Sequence, residues 1–124
     1  MADPEIPFGR PILGQAEIDA VTEVLAGTTL VHGPVTEAFE TRFAERIGTK
    51  HAVAVSSCTA GLHLSLLANE IGGGDEVIVP AMTHVATAHV VEFCGATPVF
   101  VDVEADTGNL DPNALLGVMS PRTR

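Results

Sequence analysis

Neither tryptophan nor tyrosine occurs in the 124 residues, and phenylalanine occurs only five times. A core built from this chain must be filled by Val, Leu, Ile and Ala, which suits a layered α/β interior. Basic residues are scarce as well, six against sixteen acidic ones, for a net charge of −10. No basic stripe can form, so the field repels nucleic acid and anionic membrane surfaces. The acidic residues are scattered and read as a solvated surface. The two cysteines, Cys58 and Cys94, stand in small or apolar stretches without CxxC or His/Cys ligand spacing. They are expected to be reduced interior thiols of a cytoplasmic protein. No basic start followed by an apolar run opens the chain, and no apolar run approaches the length of a membrane span. A metal site is not expected either, since His84 and His89 are five apart, off the i, i+4 spacing of one helical face.

What is present has a clear rhythm. Three prolines and two glycines in residues 3–14 read as an extended arm. Ile18, Val21 and Leu25 then recur at helical spacing until Gly27. After a loop at residues 28–33, Pro34 suits the first turn of a second helix, with Val35, Phe39, Phe43 and Ile47 as its apolar stripe before Gly48. The period then shortens. Ala52-Val53-Ala54-Val55-Ser56, Glu76-Val77-Ile78-Val79-Pro80 and Pro98-Val99-Phe100-Val101-Asp102-Val103 are Val-rich runs of the kind covered on both faces. Between them, residues 59–70 and 83–94 are long enough for helical crossovers, the first ended by Gly72-Gly73-Gly74 and the second by Gly95. Asp111-Pro112 opens a further helix over residues 113–119. The order β-α-β-α-β predicts parallel strands in an α/β fold, preceded by two helices. Three such strands leave an open edge, so the arrangement reads as part of a larger domain.

The segment Ser56-Ser57-Cys58-Thr59-Ala60-Gly61 joins the first expected strand to a helix. Its small residues let a ligand approach the backbone, and the first helical turn presents unpaired N–H groups. The partial positive charge there favours phosphate, and the hydroxyls of Ser57 and Thr59 add donors. Ser and Thr at a helix start are also ordinary caps. Other phosphate loops fit badly: there is no GxGxxG and no GxxxxGK[ST], and Gly72-Gly73-Gly74 precedes a strand.

These residues carry a resemblance. Ser57-Cys58-Thr59-Ala60-Gly61-Leu62 resembles the Ser-Gly-Thr-Ala-Ala-Leu turn of the DegT/StrS-type sugar aminotransferases. Four more segments follow that family's pattern in order. They are Gly33-Pro34 with Phe39-Glu40, Gly74-Asp75-Glu76-Val77-Ile78-Val79-Pro80, Thr83-His84-Val85-Ala86-Thr87, and Gly95-Ala96-Thr97-Pro98-Val99-Phe100-Val101-Asp102. Cys58 departs from it, standing where glycine is usual; a positive φ there would strain the turn.

The resemblance implies the amino-terminal part of the large domain of a pyridoxal-phosphate transferase, with an aspartate-aminotransferase-like fold. Residues 1–33 would be an arm, a helix and a substrate-side loop, and residues 34–124 the start of the cofactor-binding domain. Thr59 and Ala60, with Ser57, would hold the phosphate of pyridoxal 5'-phosphate. His84 would lie flat against its pyridine ring, and His32 with Gly33 would lie near the sugar. The implied substrate is a nucleotide-linked keto-deoxysugar, the amino donor glutamate, and the assembly a homodimer. Transamination also needs a lysine bonded to the cofactor. The only lysine, Lys50, precedes the first expected strand and matches a surface position of the family, whose catalytic lysine falls beyond Arg124. By itself the chain is expected to be an inactive fragment. Two other readings remain open: a related sugar dehydratase, and a non-catalytic truncated remnant.

Overall fold

The periodic segments come first, because they fold as their spacing dictates. In the computed structural model, which describes residues 9–124, helix α1 runs Gln15–Ala26 and helix α2 runs Pro34–Ile47. Glu17 caps α1 by accepting the Gly14 N–H at 2.6 Å. Pro34 occupies the first turn of α2, and Gly48 ends it at φ 81°. A left-handed residue at that place is the usual reason for glycine after a helix. Of the expected arm, residues 3–8 lie outside the described residues; residues 9–14 are exposed and form no regular element.

Contacts divide the chain into two compact units, Met1–Ala54 and Val55–Arg124. Both α1 and α2 fall in the first, whereas the sequence grouped Pro34 onward with the later residues. The apolar stripe of α2 is not covered among the described residues: Phe39 is 58% and Ile47 60% exposed.

In the second unit, helix α3 spans Cys58–Ala68, strand β1 Glu76–Pro80, helix α4 Ala86–Phe93, strand β2 Thr97–Val101 and helix α5 Pro112–Val118. The strands pair in parallel, Glu76 opposite Thr97 and Pro80 opposite Val101. Thr97 donates to Asp75 O, so alternate residues Thr97, Val99 and Val101 turn their backbone groups toward β1. Pro98 then faces the free edge, where its missing N–H deprives no ladder partner. The core lies between this sheet and α4: Val79, Val91 and Ala96 are buried, with Leu66, Ile71 and Val77 packed on them. Val91 is 1% exposed. Its replacement by Ala removes two methyl groups from a closed site, an expected loss of about 2–3 kcal/mol in denaturant unfolding.

The expected first strand does not form. Among the described residues, 52–56 have no strand partner, and Val53 is 77% exposed. A strand exists only through a neighbour, and none pairs with this segment among the described residues. At its start β1 is paired on both sides, with Thr97 and with Thr123, while Pro98 faces the outer edge of β2. The N–H of Ala54 is taken instead by Glu40 Oε1 at 2.7 Å. Two boundaries also move. Helix α3 stops at Ala68, before the glycine triplet, and leaves through Glu70 at φ 59°. The last strand stops at Val101, and Val103 forms an isolated antiparallel bridge to Leu110.

The return of the chain to β1 is held by a carboxylate. Glu76 donates its N–H to Arg122 O and accepts the Arg124 N–H, at 2.9 and 3.0 Å. Its side chain, 11% exposed, accepts from the Ser120 hydroxyl and from the Arg122 guanidinium. The Ser120 hydroxyl chiefly holds the Glu76 carboxyl below the ordinary glutamate range, against the opposing effect of burial, and Arg122 adds to the lowering. Asp75 is likewise lowered, chiefly by the Gly72 N–H and also by Arg124. Both folded values lie below the unfolded ones, so the stability they contribute is complete above the ordinary carboxylate range. It is lost as pH falls through the lowered folded values. Thermal melts of the chain should therefore drop on acidification from about pH 4.5 downward. The Glu76→Gln variant should melt lower at neutral pH and show a flatter acid limb.

Candidate functional site

From β1 the chain crosses through α4 to β2 on one side, then passes through α5 and returns to the other side of β1 at Thr123. Such a reversal of direction makes a topological switch point, and ligands of parallel sheets bind at the carboxyl ends of strands beside it. The segment leaving the carboxyl end of β1 is Ala81-Met82-Thr83-His84-Val85, anchored by the Ala81 N–H on Val101 O at 2.8 Å. The site therefore has two walls to consider, this loop and the start of α3, both within the second unit.

At the start of α3, Ser57 is the extended N-cap, at φ −163° and ψ 161°. Its hydroxyl oxygen accepts the Ala60 N–H at 3.1 Å, and its carbonyl accepts the Gly61 N–H at 3.1 Å. Among the described residues the N–H groups of Cys58 and Thr59 have no partner, and neither has the Thr59 hydroxyl. An 11-residue helix directs its dipole at this turn. Three donors with no assigned partner and a positive helix end are chemically suited to a phosphate.

The arrangement alters two sequence-based assignments. Ala60 does not present a free N–H, because the nearest acceptor is three residues back on the N-cap; a phosphate reaches it only by displacing Ser57. The backbone donors that remain are Cys58 and Thr59, so Cys58 is a binding candidate that the sequence reading missed. Counting helix positions from the Ser57 cap would have found it. Cys58 is also no source of strain, since the non-glycine residues with positive φ are His32 and Glu70 among those described. Nor is it an interior thiol: Cys58 is exposed and Cys94 half-buried, and both are free.

His84 lies just before α4, which begins at Ala86 rather than at Thr83. Residues 83–85 are instead a turn, closed by the Thr87 N–H on His84 O at 2.9 Å and by the hydroxyls of Thr83 and Thr87 at 3.1 Å. The His84 ring is exposed, and its Nδ1 accepts the Ala86 N–H at 3.1 Å. Helices α3 and α4 pack together, His63 edge-on to Phe93 with centroids 5.8 Å apart. Ser57, Thr59 and His84 thus belong to the starts of two neighbouring helices, and no hydrogen bond joins them.

His32 and Gly33 lie in the first unit, between α1 and α2. His32 holds a left-handed backbone at φ 51°, a conformation that accumulates at functional loops. Gly33 has a packing reason of its own, since a Cβ there would approach Thr29 Cγ2 to 2.9 Å. Asp102 is a turn residue: its Oδ1 accepts the Val103 N–H at 2.8 Å and its carbonyl the Asp111 N–H at 3.1 Å. Among the described residues, no helix is long and apolar enough to cross a membrane.

Comparison with solved structures finds the same architecture. A protein described as a sugar aminotransferase, Spr1654 of Streptococcus pneumoniae in its PLP-form, is 41% identical with TM-score 0.92, over 96% of this chain and 30% of that one. DesV of S. venezuelae is 43% identical with TM-score 0.84, over 89% of this chain and 30% of that one. A 3-amino-5-hydroxybenzoic acid synthase is 37% identical with TM-score 0.87, over 98% of this chain and 32% of its own. The chain thus spans about a third or less of the length of the structures that it matches. The family model of the DegT/DnrJ/EryC1/StrS aminotransferases matches residues 11–124. The parallel sheet, the capped turn at Ser57 and this match over nearly all of its length agree: the chain belongs to the DegT/DnrJ/EryC1/StrS aminotransferase family.

Proposed function

We propose that the complete protein is a pyridoxal-phosphate-dependent aminotransferase, acting in the cytoplasm as a homodimer. Its substrate is a nucleotide-linked keto-deoxysugar, and its amino donor is glutamate. The observation that carries this reading is the start of α3, where the Cys58 and Thr59 N–H groups and the Thr59 hydroxyl have no partner among the described residues. Those three groups would hold the cofactor phosphate, with the Ser57 hydroxyl hydrogen as a fourth donor. Residues 34–124 are assigned to the cofactor-binding domain, and His32 with Gly33 to the sugar.

When bound, pyridoxal phosphate supplies the electron sink that amino transfer to a carbonyl needs. The chain's own contribution is to fix that group. Donors from Cys58 and Thr59 neutralise the phosphate charge at the helix start, where the helix dipole favours it. The His84 ring, held by Ala86, provides a planar face at the carboxyl end of β1. The catalytic lysine and the acid that pairs with the pyridine nitrogen are assigned to residues outside this chain.

The test is to give the full-length protein pyridoxal phosphate, 15N-glutamate and nucleotide-linked keto sugars, and to follow the label by mass spectrometry. Label is expected in the sugar. A protein that keeps the cofactor but leaves every keto sugar unlabelled would overturn the substrate class, and one that keeps no cofactor would overturn the whole reading.

A further inference from the structure

His84 is held by one edge of its ring, and that decides what the other edge can do. Nδ1 accepts the Ala86 N–H at 3.1 Å, so it carries no proton in this arrangement. The reverse orientation of the ring would set a C–H against that N–H, with no hydrogen bond. A neutral imidazole has one N–H, and with Nδ1 as acceptor it must reside on Nε2. The ring is exposed, and no protein group among those described accepts from Nε2. One polar edge is thus spent on the start of α4, and the other presents a single oriented donor at the carboxyl end of β1.

We infer that His84 donates its Nε2–H, edge-on, to an oxygen of the ligand bound at this end of the sheet. The inference rests on the functional reading above and adds to it. An N–H in the ring plane points past any group stacked on the ring face, so stacking and donation serve different atoms. The recognised atom is an anionic or carbonyl oxygen, and two sources supply one: the phosphate-bearing cofactor, or a substrate with its carboxylate, phosphates or keto group. Ala86 acts by fixing the tautomer and aiming the ring. His84 is then a ligand-binding residue through its edge as well as its face.

Two measurements on the full-length protein test this. With 15N-labelled histidine at mildly alkaline pH, the His84 Nδ1 should show the shift of an unprotonated acceptor and Nε2 that of an N–H. The opposite tautomer overturns the inference whether or not the protein binds a cofactor. The second measurement compares His84→Phe with His84→Asn. Phe keeps a ring face and loses both polar edges; Asn can accept from Ala86 and still donate, but has no ring. Phe is expected to weaken one ligand roughly ten- to hundredfold. A change in the pyridoxal phosphate Kd assigns the oxygen to the cofactor, and a change in KM for the sugar or the amino donor assigns it to that substrate. Asn should recover part of the same constant. If Phe matches the unaltered protein in every constant, the edge-on donor is overturned while the stacking role stands. If no variant and no parent binds pyridoxal phosphate, the functional reading itself has failed.

Discussion

Purified as the 124 residues alone and supplied with pyridoxal phosphate, glutamate and a keto sugar, the chain is expected to transfer no amino group. The reason is chemical. Amino transfer needs an amine bonded to the cofactor that then shuttles protons between carbon centres. Lys50 is the sole lysine, and it sits two residues past Gly48, at the close of α2 in the first unit. The phosphate donors belong to the second unit, beyond the whole of residues 51–56. A few hydrogen bonds at a helix start can retain the cofactor only loosely. Borohydride reduction and peptide mapping provide the measurement. Trace labelling of Lys50 without turnover agrees with the expectation, because exposed lysines react with aldehydes nonspecifically. Stoichiometric labelling of Lys50 together with amination of the sugar would sink it. Exposed apolar faces, such as Leu25 at 66% and Phe93 at 62%, also lead us to expect self-association of the isolated chain.

In the full-length protein, Thr59→Ala is expected to weaken pyridoxal phosphate binding by ~1.5–3 kcal/mol, the range for a hydrogen bond to a charged group. That corresponds to roughly a ten- to hundredfold rise in Kd. The Thr59 hydroxyl has no partner to lose among the described residues, so stability should hardly change, and Thr59→Ser should restore most of the affinity. Ser57→Ala separates capping from binding. It removes the acceptor of the Ala60 N–H, which costs about 1 kcal/mol of helix stability, and it exchanges the Ser57 hydroxyl donor for that freed N–H, which can meet the phosphate instead. Its effect on Kd should therefore be smaller than its effect on the melt. Cofactor titrations and thermal melts of the three variants give the comparison. Equal cofactor affinity in Thr59→Ala and the parent would remove Thr59 from the site.

Much of this was legible without coordinates, and the reason is local. The Ile18, Val21, Leu25 spacing and the Pro34 start each specify a helix within a few residues, so α1 and α2 match their expected bounds at Gln15–Ala26 and Pro34–Ile47. Val-rich runs bounded by Gly and Pro likewise marked β1 at Glu76–Pro80. The capped start of α3 could be read from Ser57 because capping chemistry joins residues three apart, here Ser57 and Ala60. Some departures involve partners distant in sequence, and others the direction that a nearby group takes in the folded chain. Whether residues 52–56 form a strand depends on a neighbour to pair with, and Val-rich composition does not supply one. Whether Ala60 offers its N–H depends on which way the Ser57 hydroxyl turns, and the His84 ring takes its direction from the Ala86 N–H on Nδ1. The same holds for Glu76, whose partners Ser120 and Arg122 stand 44 and 46 residues further on. Periodicity and caps are interactions between near neighbours along the chain, so the sequence alone determines them. Strand pairing and buried charge are settled by residues far along the chain, and the direction of a side chain by the backbone the fold sets around it; only the tertiary structure decides them.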